Sequence, residues 1–264
     1  MTNTQKIIKY LSLAFAFYLI ISIILGILSI FNFIDKTNTK EEVKYFKSVT
    51  LDNSLDDIDI NLKVTNLYIK NGDKFNVETT NKSINIIQSN DKIKIIEKAN
   101  ININDNNKVI ITIPIDKKFN NISIDSGAGI LDIENLVGEN LDLDFGAGKV
   151  NVNNLISNKK TDIDTGVGSV KFNNCKLTNM DLDMGIGKLE INGYFIGENK
   201  IDAGIGELFI NLLNSKKDYT FKIDKGIGKI LLDKEKLVDS KKYGDGINLV
   251  DINGGIGTIE IKTS

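Results

Sequence analysis

The chain of 264 residues has no histidine and no tryptophan, one cysteine and one proline. Arginine is missing as well, so every basic residue is lysine. Each absence removes a class of chemistry. Without histidine there is no side chain that titrates near neutrality and no imidazole metal ligand. Without arginine there is no planar fork to clamp a carboxylate or phosphate with two hydrogen bonds. The lone Cys175 allows no internal disulfide, and its expected role is that of a small buried apolar residue. The formal net charge is −2, with acidic and basic residues mixed throughout, which disfavours nucleic acid as a partner. No cofactor is implied.

Residues Tyr10 to Ile34 carry no charged side chain over 25 positions, and a helix of about 20 apolar residues spans a bilayer. Lys6 and Lys9 precede this stretch, which places the N-terminus in the cytoplasm by the positive-inside rule. A cleaved signal peptide is the competing reading, but its apolar region would be shorter. The expectation is a cytoplasmic tail and transmembrane helix over 1–34, a tether over 35–45 and an extracytoplasmic domain over 46–264. The protein would thus sit in the cell membrane as a single-pass chain.

From Phe46 onward apolar and polar residues alternate in short runs. Ile58-Asp59-Ile60, Leu67-Tyr68-Ile69, Phe75-Asn76-Val77, Ile84-Asn85-Ile86, Ile93-Lys94-Ile95, Ile101-Asn102-Ile103 and Ile111-Thr112-Ile113 all read as half-buried strands. Pro114 closes the last of them. The only place for a short helix is Asp233 to Lys241. Residues 46–118 therefore read as irregular strands, and 119–264 as something more regular.

That regularity is a five-residue phrase, Asp-x-Gly-apolar-Gly, present seven times. The copies begin at Asp125, Asp144, Asp164, Asp183, Asp202 and Asp224, and at Asn253, where Asn replaces Asp. Their first glycines lie 19, 20, 19, 19, 22 and 29 residues apart. A fixed period of this length marks stacked units, here one coil of a β-solenoid per repeat. In the second copy, Leu141, Leu143, Val150, Val152 and Leu155 are expected to face inward. Counting parity through the glycines adds the middle residue, so Ala128, Ala147, Val167, Ile186, Ile205, Ile227 and Ile256 are expected to form one buried ladder. Asn corners such as Asn153-Asn154 and Asn173-Asn174 suit a left-handed backbone. The fold class is all-β, a single solenoid-like domain behind one N-terminal helix. The last coil ends at Ile259-Glu260-Ile261 with no evident cap. Either the insertion Asp233 to Gly246 folds back over that end, or the chain self-associates through it.

The isoleucine-rich strands leading into Ile111-Thr112-Ile113-Pro114, then Ile122-Ser123-Ile124-Asp125-Ser126-Gly127-Ala128-Gly129 and the Gly-x-Gly coils, carry a resemblance. Over about residues 45–264 the chain resembles the bacterial "putative adhesin" family of β-strand-repeat domains, whose relatives include the auto-transporter adhesin head and toast-rack domains. The resemblance implies a β-repeat fold, often behind a membrane anchor, with no catalytic residues defined.

The repeated Asp is the one candidate for chemistry. Asp125, Asp144, Asp164, Asp183, Asp202 and Asp224 are candidate calcium ligands, because calcium takes six to eight oxygens from carboxylates and carbonyls. The competing reading is an Asx-turn, in which each Asp accepts hydrogen bonds from its own Gly corner. Lys149, Lys188 and Lys229, which follow the second glycine, are placed to neutralise part of the row. Asp142 and Asp144 could be imagined as an acid/base pair, but the chain lacks the arginine, histidine and aromatic platform that such a site usually needs. No helix follows any Gly-x-Gly, so the phrase is no phosphate loop. The leading expectation is a non-enzymatic, adhesin-like surface scaffold that binds an unknown envelope or protein ligand. The alternative is an envelope-stress sensor acting through a membrane partner, since the short N-terminal tail holds no output domain.

Overall fold

The computed structural model describes residues 45–98, 106–238 and 241–264. The expected transmembrane helix, most of the tether and the strand at Ile101–Ile103 lie outside the described residues. Among the described residues there is no α-helix, only a single 3-10 turn at Lys216–Asp218. No helix there is long and apolar enough to cross a membrane. The segment from Asp233, the only place the sequence left for a short helix, takes a turn and a short strand at Glu235–Lys236. Two residues of antiparallel pairing to Leu231 and Leu232 satisfy its backbone there.

The repeat copies pair as parallel strands with no slip at the phrase itself. Asp125, Asp144, Asp164, Asp183 and Asp202 are successive partners, and so are Gly129, Gly148, Gly168, Gly187 and Gly206. This is the coil-on-coil register of a β-solenoid, with neighbouring strands about 4.8 Å apart. The expected inward residues Leu141, Leu143, Val150, Val152 and Leu155 are all buried. Each side chain so buried contributes about 1.5–3 kcal/mol of transfer free energy, and the columns of them make one continuous core.

The ladder between the glycines is not in that core. Ile227 is 75% exposed and Ile256 43%, Ala128 is exposed, and Ala147, Val167, Ile186 and Ile205 are only half-buried. The residue before the first glycine goes inward instead, as Ser126, Phe145 and Met184 do. The chain turns through both glycines, so the strict two-residue period fails across four positions and resumes at Leu131, Val150, Val170 and Leu189. The second glycine holds a positive φ, +142° at Gly187, a region that disfavours a Cβ. Coils also touch there. A Cβ on Gly187 would sit 1.9 Å from the carbonyl oxygen of Gly168. Asn154 and Asn174 take φ near +50°, as expected of corner asparagines. Their side chains are hydrogen-bonded to each other across coils.

The stacking order departs from the chain order at the C-terminal end. The seventh copy lies between the fifth and the sixth. Asn248–Asn253 pairs with Glu198–Asp202 on one side and Tyr219–Asp224 on the other. Ile256–Thr263 likewise pairs with Ile205–Leu212 and with Ile227–Leu232. Charge explains the preference. One outward column reads Lys200, Asp251, Lys222 and the next reads Asp202, Asn253, Asp224. Stacking in chain order would set Lys200 against Lys222 and Asp202 against Asp224. Directly opposed like charges are destabilising and opposed unlike charges are favourable. The Lys222 ammonium lies 3.8 Å from Asp251, and Asn253 Nδ2 donates to Asp202 Oδ1. The missing carboxylate of the seventh copy is thereby accounted for.

The sixth copy is therefore the outermost coil, and the coil ending at Ile259-Glu260-Ile261, expected to form the open end, lies inside the stack; the insertion does fold back, but over the sixth copy. Lys241–Tyr243 pairs antiparallel with Phe221–Ile223, and buried Leu237 donates its N–H to the Ile230 carbonyl at 2.9 Å. The other end repeats the device. Asp57–Leu62 and Asn66–Gly72 form a coil beneath the first copy, with Asn61 opposite Asp125. Lys92–Glu97 and Lys108–Pro114 stack parallel beneath that coil. The antiparallel strands Ile84–Ser89 and Asn76–Thr79 then cover them. The coil with Asn61 has no glycine at its corner, Lys63 to Thr65, and buried Glu97 serves that corner. One carboxylate oxygen accepts the N–H groups of Lys63 and Val64 at 2.7 and 3.0 Å, and the other accepts Asn81 Nδ2 at 2.9 Å.

Candidate functional site

The stack sets the polar residues of each strand into outward columns. One column gathers Asp125, Asp144, Asp164, Asp183 and Asp202. Asp224 belongs to the same column but is parted from Asp202 by Asn253. A second column, two residues earlier, aligns Asp142, Asp162 and Asp181. None of these carboxylates accepts a hydrogen bond from its own glycine corner among the described residues. The corner N–H groups are used between coils, as in Ala128 to Lys63 at 2.7 Å and Ile256 to Gly204 at 2.8 Å. The Asx-turn expectation fails for that reason, and the Asp side chains reach along the stack. Asn61 Nδ2 donates to Asp125 at 2.6 Å.

Crowding sets the proton affinities. Partial burial between coils, followed by the charges of Asp162 and Asp164, raises Asp142 above the usual carboxylate range. Partial burial followed by Asp125 and Asp164 does the same for Asp144, and partial burial followed by Asp202 and Asp164 for Asp183. Asp202 goes the other way. The Lys200 hydrogen bond, then that of Asn253, holds it below the usual range. Carboxylate oxygens of Asp181, Asp183 and Asp202 lie within 4.8 Å of one another, a spacing a cation can bridge. The Lys200 ammonium already occupies that neighbourhood, 3.9 Å from Asp181 and hydrogen-bonded to Asp202. Lys160 does the same for Asp162 at 2.7 Å. Lys160 and Lys200 thus pair with Asp162, Asp181 and Asp202, and it is these lysines, rather than Lys188 after the second glycine, that offset part of the acidic charge. Lys188 instead pairs with Glu190 at 2.6 Å and lies 5.1 Å from the centre of the Phe209 ring.

The adjoining face holds a groove of about 180 Å³, lined in part by Lys171, Asn173, Glu190, Asn192, Phe209 and Lys262. Coil register builds it. Lys171, Glu190, Phe209 and Glu260 are successive partners in one column, and Asn173 and Asn192, Asn211 and Lys262 stand two residues further along their strands. Phe209 was not singled out by sequence reasoning. Its signal was available: it is an aromatic residue in an outward column whose nearest members are Asn151, Lys171, Glu190 and Glu260. Cys175 is buried and its thiol is pushed up to about 12 by that burial, so it stays protonated and unreactive at neutral pH.

The chain has distant likenesses among solved structures. A "putative cell adhesion protein" from Clostridium sporogenes is 15% identical, with 84% of this chain and 100% of that one covered and a TM-score of 0.36. A "putative adhesin" from Bacteroides fragilis is 15% identical, with 83% and 98% covered and a TM-score of 0.42. Another from Parabacteroides distasonis is 13% identical, with 85% and 98% covered and a TM-score of 0.33. No curated protein matches the chain. The profile of one domain family, described as Toastrack DUF4097, matches residues 37–243, which is most of the chain and includes the coil with Asn61 and six of the seven phrases; the protein belongs to the Toastrack DUF4097 family.

Proposed function

We propose that the protein is a membrane-anchored, extracytoplasmic β-repeat scaffold that binds an envelope component or another protein and carries out no chemistry of its own. One observation carries this reading. The in-register stack fixes outward side chains in columns of carboxylates, amides and lysines, and several of them bond to one another along the stack, as Asn173 does to Asn153 and Lys160 to Asp162. Such a surface recognises through position and charge. The uncharged run Tyr10 to Ile34 supports an anchor that would hold this surface just outside the bilayer. The adhesin names given to the solved structures are in keeping with a binding role.

The test is made on cells. Alkaline washing should leave the protein with the membrane, and protease added to intact cells should remove residues 46–264. Deleting the gene should reduce attachment of the cells to surfaces or to one another. A full chain that hydrolyses cell-wall glycans or peptides, with the activity lost on changing Asp144 or Asp164, would sink the binding reading. The alternative, an envelope-stress regulator, would gain from co-purification of a membrane kinase or channel with attachment unchanged.

A further inference from the structure

We infer that the groove beside Phe209 is a binding site for one ring of a neutral hexose oligosaccharide, an assignment that rests on the binding-scaffold reading. The charged residues lining the groove are two lysines, Lys171 and Lys262, and two glutamates, Glu190 and Glu260. They cancel, and each lysine is already paired, Lys171 with Glu190 at 3.4 Å and Lys262 with Glu260 at 3.3 Å. The lining therefore offers no net charge to draw a charged ligand, which favours an uncharged one.

The amide groups say what kind of uncharged ligand. The outward asparagines form side-chain hydrogen bonds along the stack, Asn173 to Asn153 at 3.0 Å and Asn211 to Asn192 at 3.4 Å. The chain of bonds is interrupted between Asn173 and Asn192. That leaves an acceptor, Asn173 Oδ1, and a donor, Asn192 Nδ2, on adjacent coils. Neither is among the buried polar atoms without a partner, so both face solvent. An acceptor and a donor on adjacent coils of one groove suit a ligand with several hydroxyls, each able to give and to receive a proton, as on a sugar. Phe209 supplies the apolar surface. Phe209 lines the groove, and the Lys188 ammonium lies 5.1 Å from the centre of its ring. The C–H face of a pyranose packs on such a ring. A few placed polar groups around an aromatic wall is the usual make-up of a small-molecule site. At about 180 Å³ the groove is smaller than the roughly 300–1,000 Å³ of drug-sized pockets, which suits one ring with the rest of the oligosaccharide running out over the face.

The experiment uses the full chain in a detergent without a sugar headgroup. Maltohexaose and cellohexaose are the neutral probes and polygalacturonate the charged one, with binding read by titration calorimetry and saturation-transfer NMR. The expected result is millimolar binding of at least one neutral probe, weakened tenfold or more by Phe209→Ala and by Asn192→Ala and kept by Phe209→Tyr. Circular dichroism melts confirm that each variant is folded. If Phe209→Ala is not, Asn192→Ala and Phe209→Tyr decide. The assignment is overturned if neither neutral probe binds, if the variants bind as the wild type does, or if polygalacturonate or an uncharged strand-forming peptide displaces the sugar more tightly. Those outcomes with cell attachment intact would leave the scaffold reading standing without this groove; loss of attachment in Phe209→Tyr with sugar binding kept would separate the two in the other direction.

Discussion

Asn253→Asp is the substitution that the interleaved stack makes most informative. Asn253 is in register between Asp202 and Asp224, and its side chain donates to Asp202. The substitution sets three carboxylates in a row, each about 4.8 Å from the next, and removes the donated hydrogen bond. Two opposed like-charge pairs at a few tenths of a kcal/mol each, with a lost hydrogen bond of about 1 kcal/mol, give about 2 kcal/mol of destabilisation at neutral pH. For a folded unit of this size that lowers the melting temperature by about 4–8 °C. The new carboxyl would have a raised pKa in the folded chain. Its penalty is then fully present above that value and disappears as the pH falls below the unfolded value, near 4. Circular dichroism melts of wild type and variant at pH 7 and about pH 4 read the difference. The gap should be wide at pH 7 and narrow in acid, and high salt should narrow it as well. Were the copies stacked in chain order, Asn253 would have Asp224 as its only acidic neighbour and Asp202 would be untouched. A gap half the size, or one with no pH dependence, would refute the interleaved register.

Four further outcomes test the rest of the structure. Gly187→Ala places a Cβ 1.9 Å from the Gly168 carbonyl at a φ of +142°; it should cost about 3 kcal/mol or more and lower the melting temperature by at least about 6 °C, whereas Gly138→Ala, which meets the yielding end of Ile122, should be milder. Asp144 has its pKa raised by partial burial and by Asp125 and Asp164, so its favourable contribution exists in acid and is lost as pH rises through the raised value; Asp144→Asn should stabilise the chain slightly at pH 7, seen in the urea midpoint, with no gain in acid. Glu97→Ala strands the N–H groups of Lys63 and Val64 and the Asn81 amide and should cost about 3 kcal/mol, with hydrogen exchange at Lys63 and Val64 accelerated. Calcium should leave the melting temperature where EDTA leaves it, because Lys200 already bridges the acidic column; a rise of several degrees would support the calcium reading of Asp125, Asp144, Asp164, Asp183, Asp202 and Asp224.

The repeat made the all-β class, the parallel register and most inward columns legible, because β-branched alternation and a fixed period are both local signals. The inward assignment of the residue between the glycines failed at the place where locality ends. Counting by two assumes an extended chain, and here two glycines turn it. The buried residue therefore comes before the turn, as Phe145 and Met184 do. The coil beneath the first copy was hidden for the opposite reason. Lys63 and Thr65 stand where the glycines would be, and Glu97 supplies from a distant strand what a neighbouring corner supplies elsewhere. The Asp columns were legible as columns but not as partners of Lys160 and Lys200, because a strand pattern does not say which lysine reaches which carboxylate.

The order of the last two copies was written in the sequence, but only as a charge code. Apolar positions match whichever copy stacks on whichever, since every copy carries the same pattern. What discriminates is Lys200 against Lys222, a clash that a strand bearing Asp251 resolves by sitting between them, while its Asn253 ends the run of directly stacked carboxylates at Asp202. The same interleaving at the other end, where Asp57–Gly72 is covered by strands that follow it in the chain, shows a common logic. A parallel coil added in chain order always leaves another parallel edge open. Bringing a later coil inside lets the preceding insertion double back as an antiparallel strand, which a short turn permits and a parallel coil does not. The repeat is thus closed by segments that are not repeats, and it is in those segments that a pattern-based reading stops being informative.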